Sequence, residues 1–264
     1  MAMFTSLTQG HLKQLETCPR KFQYGYLDQL PVHINPDLRQ TQEWGTRFHQ
    51  VMQQRELGLS VDPILEADAE LAEAVNRMVN AAPELFAPQN TRFRQSEHRR
   101  TLAFGNFLLT VVYDLLLLTP EKAQIIDWKT YLKPQSKRHL ERDWQTRLYL
   151  YVLAETTNYQ PEQLTMGYWF VRAQDPTTQE IRPTQVEIAY STRKHRQTEK
   201  DLEQLTTQLT QLIAGDEPFP KVSLAAGRCG NCPYAVRCQR PSEQYPVDLV
   251  DNLPAIEEIA EIPL

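Results

Sequence analysis

Between Phe93 and Thr130 the chain reads "FRQSEHRRTLAF", "NFLLTVVYDLLLLT" and "AQIIDWKT", three runs rich in branched and aromatic side chains. Gly105-Asn106 and Thr119-Pro120-Glu121 separate them, and both are turn sequences. Connections this short leave neighbouring strands antiparallel. The stretch therefore predicts a three-strand meander, around which everything else must pack.

The flanks carry helical signals. Ser6 with Gln9 reads as a capping box opening a helix that runs to about Tyr26 and is interrupted at Pro19. Helices are expected at 43–56, at 63–80 behind Pro63, at 142–157 and at 193–214, with further strands near 164–173 and 182–190. Helices, strands, helix, strands is an α/β or α+β layout. A chain of 264 residues, 41% of them hydrophobic, suits one sizeable domain or one domain with an added subdomain. We place that domain at 1–240 and an extended acidic tail at 241–264.

The longest apolar run, 106–118, contains Asp114 and is too short to span a bilayer. The start "MAMFTSLTQGHLKQ" has neither the basic nor the apolar region of a signal peptide. A cytoplasmic protein without a membrane partner is expected, in a compartment where structural disulfides are rare.

Net charge is −5, which by itself argues against a polyanionic partner. The tail, however, holds Glu243, Asp248, Asp251, Glu257, Glu258 and Glu261 with no Lys or Arg, so the body is near neutral. Basic clusters remain there, at Arg92–Arg100, Lys129–Arg147 and Arg193–Arg196. Such clusters can follow a phosphate backbone.

Cys229, Cys232 and Cys238 fall within ten residues, and Cys18 is far away near the N-terminus. Two cysteines at i and i+3 can present thiolates to one centre around a tight turn. Four cysteines with none left over fit one four-thiolate site that pins the N-terminal helix to the C-terminal segment. Spacing alone leaves zinc and iron–sulfur open.

Asp114 interrupts an apolar run, and Asp127 ends another just before Trp128 and Lys129. On a strand Asp127 and Lys129 share one face and Trp128 takes the other. The meander can set Asp114 beside Asp127. Two neighbouring carboxylates invite a divalent cation, Mg or Mn. Lys129 beside it could orient or deprotonate a water, or stabilise charge growing on a phosphate. Glu97 on the first strand could reach the same patch. His49 lies four residues after Gly45, and Gln145 and Tyr149 share one helix face.

Taken in order, the Cys-Pro-Arg-Lys-Phe block at 18–22, Gly45-x3-His49, Asp114, Asp127-x-Lys129, Gln145-x3-Tyr149 and the last three cysteines resemble the PD-(D/E)XK nuclease superfamily. The nearest likeness is to its RecB-like branch with an iron–sulfur cluster, which includes CRISPR-associated exonucleases and the nuclease domains of helicase–nuclease complexes. The resemblance implies an α/β restriction-endonuclease-like core, a central mixed sheet flanked by helices, with the chain ends joined by a metal cluster. It implies that His49, Asp114 and Asp127 bind Mg or Mn and that Lys129 is the catalytic lysine. It further implies that Gln145 and Tyr149 contact DNA, and that Cys18, Cys229, Cys232 and Cys238 hold a 4Fe–4S cluster. The family's glycine three residues before the first Asp is Val111 here, which would narrow the DNA groove.

The function so implied is metal-dependent hydrolysis of DNA, as an exonuclease on single-stranded ends, in repair, recombination or CRISPR adaptation. With no G-x4-GK[ST] motif in the chain, unwinding would need a helicase or a CRISPR adaptation partner. The alternative is a non-catalytic DNA-binding or assembly subunit stapled by its iron–sulfur or zinc site.

Overall fold

A computed structural model describes residues 5–32, 36–86, 91–175 and 177–241. The acidic tail, from 242 onward, lies outside the described residues. In chain order the elements are β1 (Thr5–Leu7), α1 (Gln9–Thr17), α2 (Pro19–Phe22), α3 (Pro36–Glu56), α4 (Asp62–Ala67), α5 (Ala69–Ala81), α6 (Pro83–Phe86), β2 (Phe93–Phe104), β3 (Phe107–Leu118) and β4 (Ala123–Lys129). They continue with α7 (Lys137–Arg142), α8 (Trp144–Glu155), β5 (Leu164–Phe170), β6 (Thr184–Ala189) and α9 (Thr192–Ala214).

The chain divides into two compact units, one of residues 1–12 with 34–208 and one of residues 13–33 with 209–264. In the first, the described strands form one six-stranded mixed sheet. β2, β3 and β4 are the expected antiparallel meander. β5 joins β4 in parallel through the α7–α8 crossover, and β6 closes the edge antiparallel to β5. The long strand β3 has β2 along one edge. Its other edge pairs first with β1, in parallel at Phe107–Leu109, and then with β4 at Leu115–Leu118.

Helices cover both faces, because β3 and β4 are apolar on both. On one face Phe48, Val51 and Met52 of α3 and Leu71, Val75 and Met78 of α5 pack with Leu115, Leu117, Ile126 and Trp128. On the other, α8 lies across β2, β3 and β5, and six consecutive residues from Leu148 to Leu153 are buried. Val111 is itself buried in β3.

Three expectations change at element ends. Ser6 opens no helix: it sits in β1, its hydroxyl 2.8 Å from that of Thr110, and α1 starts at Gln9. The helix expected over 63–80 is two, because Asp68 turns extended and caps α5 by accepting from the Leu71 N–H. Asp143 likewise separates α7 from α8, accepting from the Gln145 N–H. Pro19 breaks the first helix as expected, with Cys18 extended ahead of α2.

In the second unit the two chain ends hold each other without disulfides. Phe22 stacks on Phe219, Tyr24 packs edge-on against Tyr234, and the Tyr234 hydroxyl donates to the Leu30 carbonyl at 3.2 Å. Arg20 donates to the Phe219 carbonyl, whose own N–H reaches Gln23.

Candidate active site

β3 and β4 part company just after the Leu115–Ile126 pair. There the Asp114 carboxylate accepts the Trp128 N–H at 2.7 Å, replacing the backbone partner the strand has lost. As alternation requires, Trp128 turns into the core against Phe86, and Asp127 and Lys129 turn to the opposite face. Asp127 is 2% exposed. Its Oδ1 lies 2.6 Å from Lys129 Nζ, a charge contact outside directional hydrogen-bond geometry, and that oxygen has no other partner. Its Oδ2 accepts from Gln145 Nε2 at 2.5 Å, while Lys129 Nζ donates to Gln145 Oε1 at 2.7 Å. One glutamine in the first turn of α8 thus clamps both members of the Asp127–Lys129 pair. Tyr149, one turn on, is buried with its ring against Tyr113, which donates to the Tyr149 carbonyl.

His49 reaches the site from α3, its Nδ1 3.4 Å from Asp114 Oδ2. Gly45 allows this approach: a Cβ there would stand 2.8 Å from Thr130 Oγ1. His49, Glu97 and Asp114 each bring one ligand atom to within 4.8 Å of the others, the group among the described residues able to hold a metal ion. Gln42, Gly45, Thr46, His49, Gln50, Gln53, Glu97 and Thr130 line an open cleft of about 820 Å³ beside it.

Crowded charge governs the electrostatics. Burial raises the pKa of Asp127, Asp114 raises it further, and Lys129 only partly offsets them. Burial and Asp114 likewise raise Glu97. Burial alone would lower His49, but Asp114, with Asp127 and Glu97 behind it, carries it above its ordinary value. Burial also works against the Lys129 ammonium, and the Asp127 carboxylate more than compensates, raising its pKa.

Glu97, on the first strand of the meander, does reach the patch as expected, but with a backbone the sequence does not announce. It stands opposite Asp114, between the pairs Ser96–Leu115 and His98–Tyr113, yet makes no ladder pair. Its φ is +48°, in the left-handed region that side chains other than glycine seldom enter. Tyr113 packs on α8 whereas Leu115, two residues on, joins the cluster under α3 and α5, so the alternation of β3 breaks at Asp114.

The cysteines lie in the other unit. Cys18, Cys229, Cys232 and Cys238 line one pocket together with Lys21, Lys221, Arg228 and Arg240 and with no carboxylate. Burial raises the Cys238 thiol; Lys221 opposes this, and Cys232 and Cys18 add to it. Of the basic residues picked from the sequence, Arg94 pairs with Glu56, Arg147 with Asp201 and Lys194 with Glu141, and Arg100 donates to Thr156. Lys133, Lys137, Arg138 and Arg142 are exposed.

A family model for the PD-(D/E)XK nuclease superfamily matches residues 6–239. No curated protein is matched. Twenty-five solved chains match the structure. Among them SSO0001 has a TM-score of 0.40 at 13% identity, over 90% of this chain and 87% of its own. A protein from Eubacterium rectale described as a candidate exonuclease has a TM-score of 0.46 at 9% identity, over 79% of this chain and 80% of its own. Among the described residues no helix is long and apolar enough to cross a membrane.

Proposed function

Because the chain belongs to the PD-(D/E)XK nuclease superfamily, we propose that it is a divalent-metal-dependent deoxyribonuclease of the RecB-like branch, acting on single-stranded ends. The observation that carries the reading is the fork between β3 and β4, where Asp114 of one strand lies beside His49 and Asp127 of the next pairs with Lys129. Imidazole and carboxylate donors suit Mg or Mn, and the nitrogen donor leans toward Mn. The Asp127 oxygen whose one close neighbour is an off-axis ammonium is a further donor a cation could use. His49, Asp114 and Asp127 would hold the ion. When bound, it supplies Lewis acidity and a water acidic enough to attack phosphorus at neutral pH.

The chain's own groups define the rest. Lys129, 2.6 Å from Asp127 Oδ1, sets a positive charge beside the site. It stabilises charge gathering on the phosphate as one P–O bond forms and another breaks. Gln145 fixes its position through Nε2 and Oε1, so its part is to hold the catalytic pair, with any DNA contact secondary. Lys133, Lys137, Arg138 and Arg142, exposed just after Lys129 in the chain, are the groups to receive the strand backbone.

We assign the four cysteines to a 4Fe–4S cluster, with zinc as the competing occupant. All four cysteines line one pocket, so four thiolates can serve a single centre. The four surrounding cations suit the negative charge of a thiolate-bound cluster. Anaerobically purified protein should be brown and contain iron; a colourless protein with one zinc per chain would remove this assignment and leave the nuclease reading standing.

The deciding test of the activity is incubation of the full chain with end-labelled single- and double-stranded DNA in Mg, Mn or EDTA. Cleavage that needs the divalent ion and is lost in Asp127→Ala is expected. DNA binding without cleavage under any of these conditions would instead favour an assembly subunit. A helicase or CRISPR adaptation partner, and a role in repair or recombination, belong to the same reading and follow only if cleavage is found.

A further inference from the structure

We propose that Glu97 is a direct ligand of the catalytic cation, forming with His49 and Asp114 a set that the sequence motifs do not include. The inference rests on the nuclease reading above and deepens it. The three ligand atoms lie within 4.8 Å of one another, whereas Asp127 stands outside that group, its Oδ2 held by Gln145 and its Oδ1 2.6 Å from the Lys129 ammonium. An ion held by His49 and Asp114 therefore has the Glu97 carboxylate beside it, with Asp127 Oδ1 as the remaining donor.

The backbone argues the same way. Glu97 faces Asp114 across adjacent strands, and like charges so placed repel. It also holds φ +48°, a conformation that persists only where its surroundings enforce it. A cation between the two carboxylates turns the repulsion into shared coordination. The site is accessible, since His49 and Glu97 line the open cleft along α3, and no Lys or Arg lines that cleft to neutralise Glu97 instead.

The test is a Mn titration by calorimetry on the full chain, with melting temperatures in EDTA and in Mn. Variants are Glu97→Gln, Glu97→Gly, and Glu121→Gln as a charge control in a surface turn. Glu97→Gln should weaken Mn binding by at least the roughly 10–100-fold that loss of a supporting group costs a metal site. Its melting temperature in EDTA should equal or exceed that of the wild type, because a repulsion has gone. Glu97→Gly suits the left-handed backbone, so it tests the ligand role even if the glutamine variant folds poorly, and it should show the same loss. The control should bind as wild type does. A wild type that binds no Mn would remove the nuclease reading and this inference together. Tight wild-type binding matched by both Glu97 variants would overturn the inference alone. A Glu97→Gln protein with a lower melting temperature in EDTA and unchanged Mn affinity would make the residue merely structural, and overturn it too.

Discussion

The Asp114 carboxylate accepts the Trp128 N–H at 2.7 Å and lies 3.4 Å from His49 Nδ1, so one side chain both completes the sheet and faces the cation site. The two roles separate by substitution. Asp114→Asn keeps an acceptor for Trp128 and should melt near the wild type in EDTA. Asp114→Ala leaves a buried N–H unpaired and should lose about 1–3 kcal/mol. Both should fail to cleave. Denaturation curves beside cleavage assays check this, and equal stability of the two variants would mean that the N–H finds another partner.

Lys129 offers a second test. Lys129→Ala should bind Mn nearly as the wild type does, since the ammonium is no ligand, yet cleave slower by a factor on the order of 100. Lys129→Arg should recover little, because Gln145 and Asp127 hold the ammonium at 2.7 and 2.6 Å, too tightly for a planar guanidinium. Single-turnover rates decide, and near wild-type turnover in Lys129→Ala would remove the lysine from the mechanism.

Gly45 is a third. Gly45→Ala sets a methyl group against Thr130 Oγ1, and α3 must shift, carrying His49 with it. Mn affinity and cleavage should fall together. Adding Thr130→Ala removes the obstructing oxygen and should restore much of both. A double variant as impaired as the single one would point to helix propensity or chain stiffness instead.

The pH dependence of metal stabilisation is a fourth. Asp127, Glu97 and His49 all have pKa values raised by folding, from ordinary values of 3.8, 4.5 and 6.5. A raised value means that the folded state binds the proton more tightly. The stability these groups contribute is therefore complete below their unfolded values and is lost as pH rises through the folded ones. Metal-free protein should lose that contribution from about pH 4 upward, with His49 extending the loss beyond 6.5. A divalent ion needs the same groups deprotonated, so the rise in melting temperature that Mn produces should grow between pH 5 and 8. Scanning calorimetry with and without Mn measures it, and a rise largest at pH 5 would contradict the assigned ligands.

The meander was legible because its apolar runs and both turns are local signals, and the opposite facing of Asp127 and Trp128 follows from strand alternation. Breaks at Asp68 and Asp143 were less visible, although each aspartate is a capping residue just before a helical pattern. Ser6 misled for a different reason. Three residues cannot announce a parallel strand whose partner lies a hundred residues away. Gln145 was found, but its grip on Asp127 and Lys129 depends on how α8 crosses the sheet. Glu97 was hardest, since nothing in "RQSEHRR" announces a left-handed backbone.

The four-cysteine unit is drawn from residues 13–33 and 209–264, whereas the residues proposed for catalysis all fall between 34 and 208. During synthesis on a ribosome, Cys18 emerges before Cys229, Cys232 and Cys238 and waits for them while the whole intervening segment is made. The strands and helices that carry Asp114, Asp127 and Lys129 are complete before that unit can close. Closure of the unit thus reports that the segment carrying the sheet has been made, and a transcript truncated anywhere before Cys229 yields chains that never reach it.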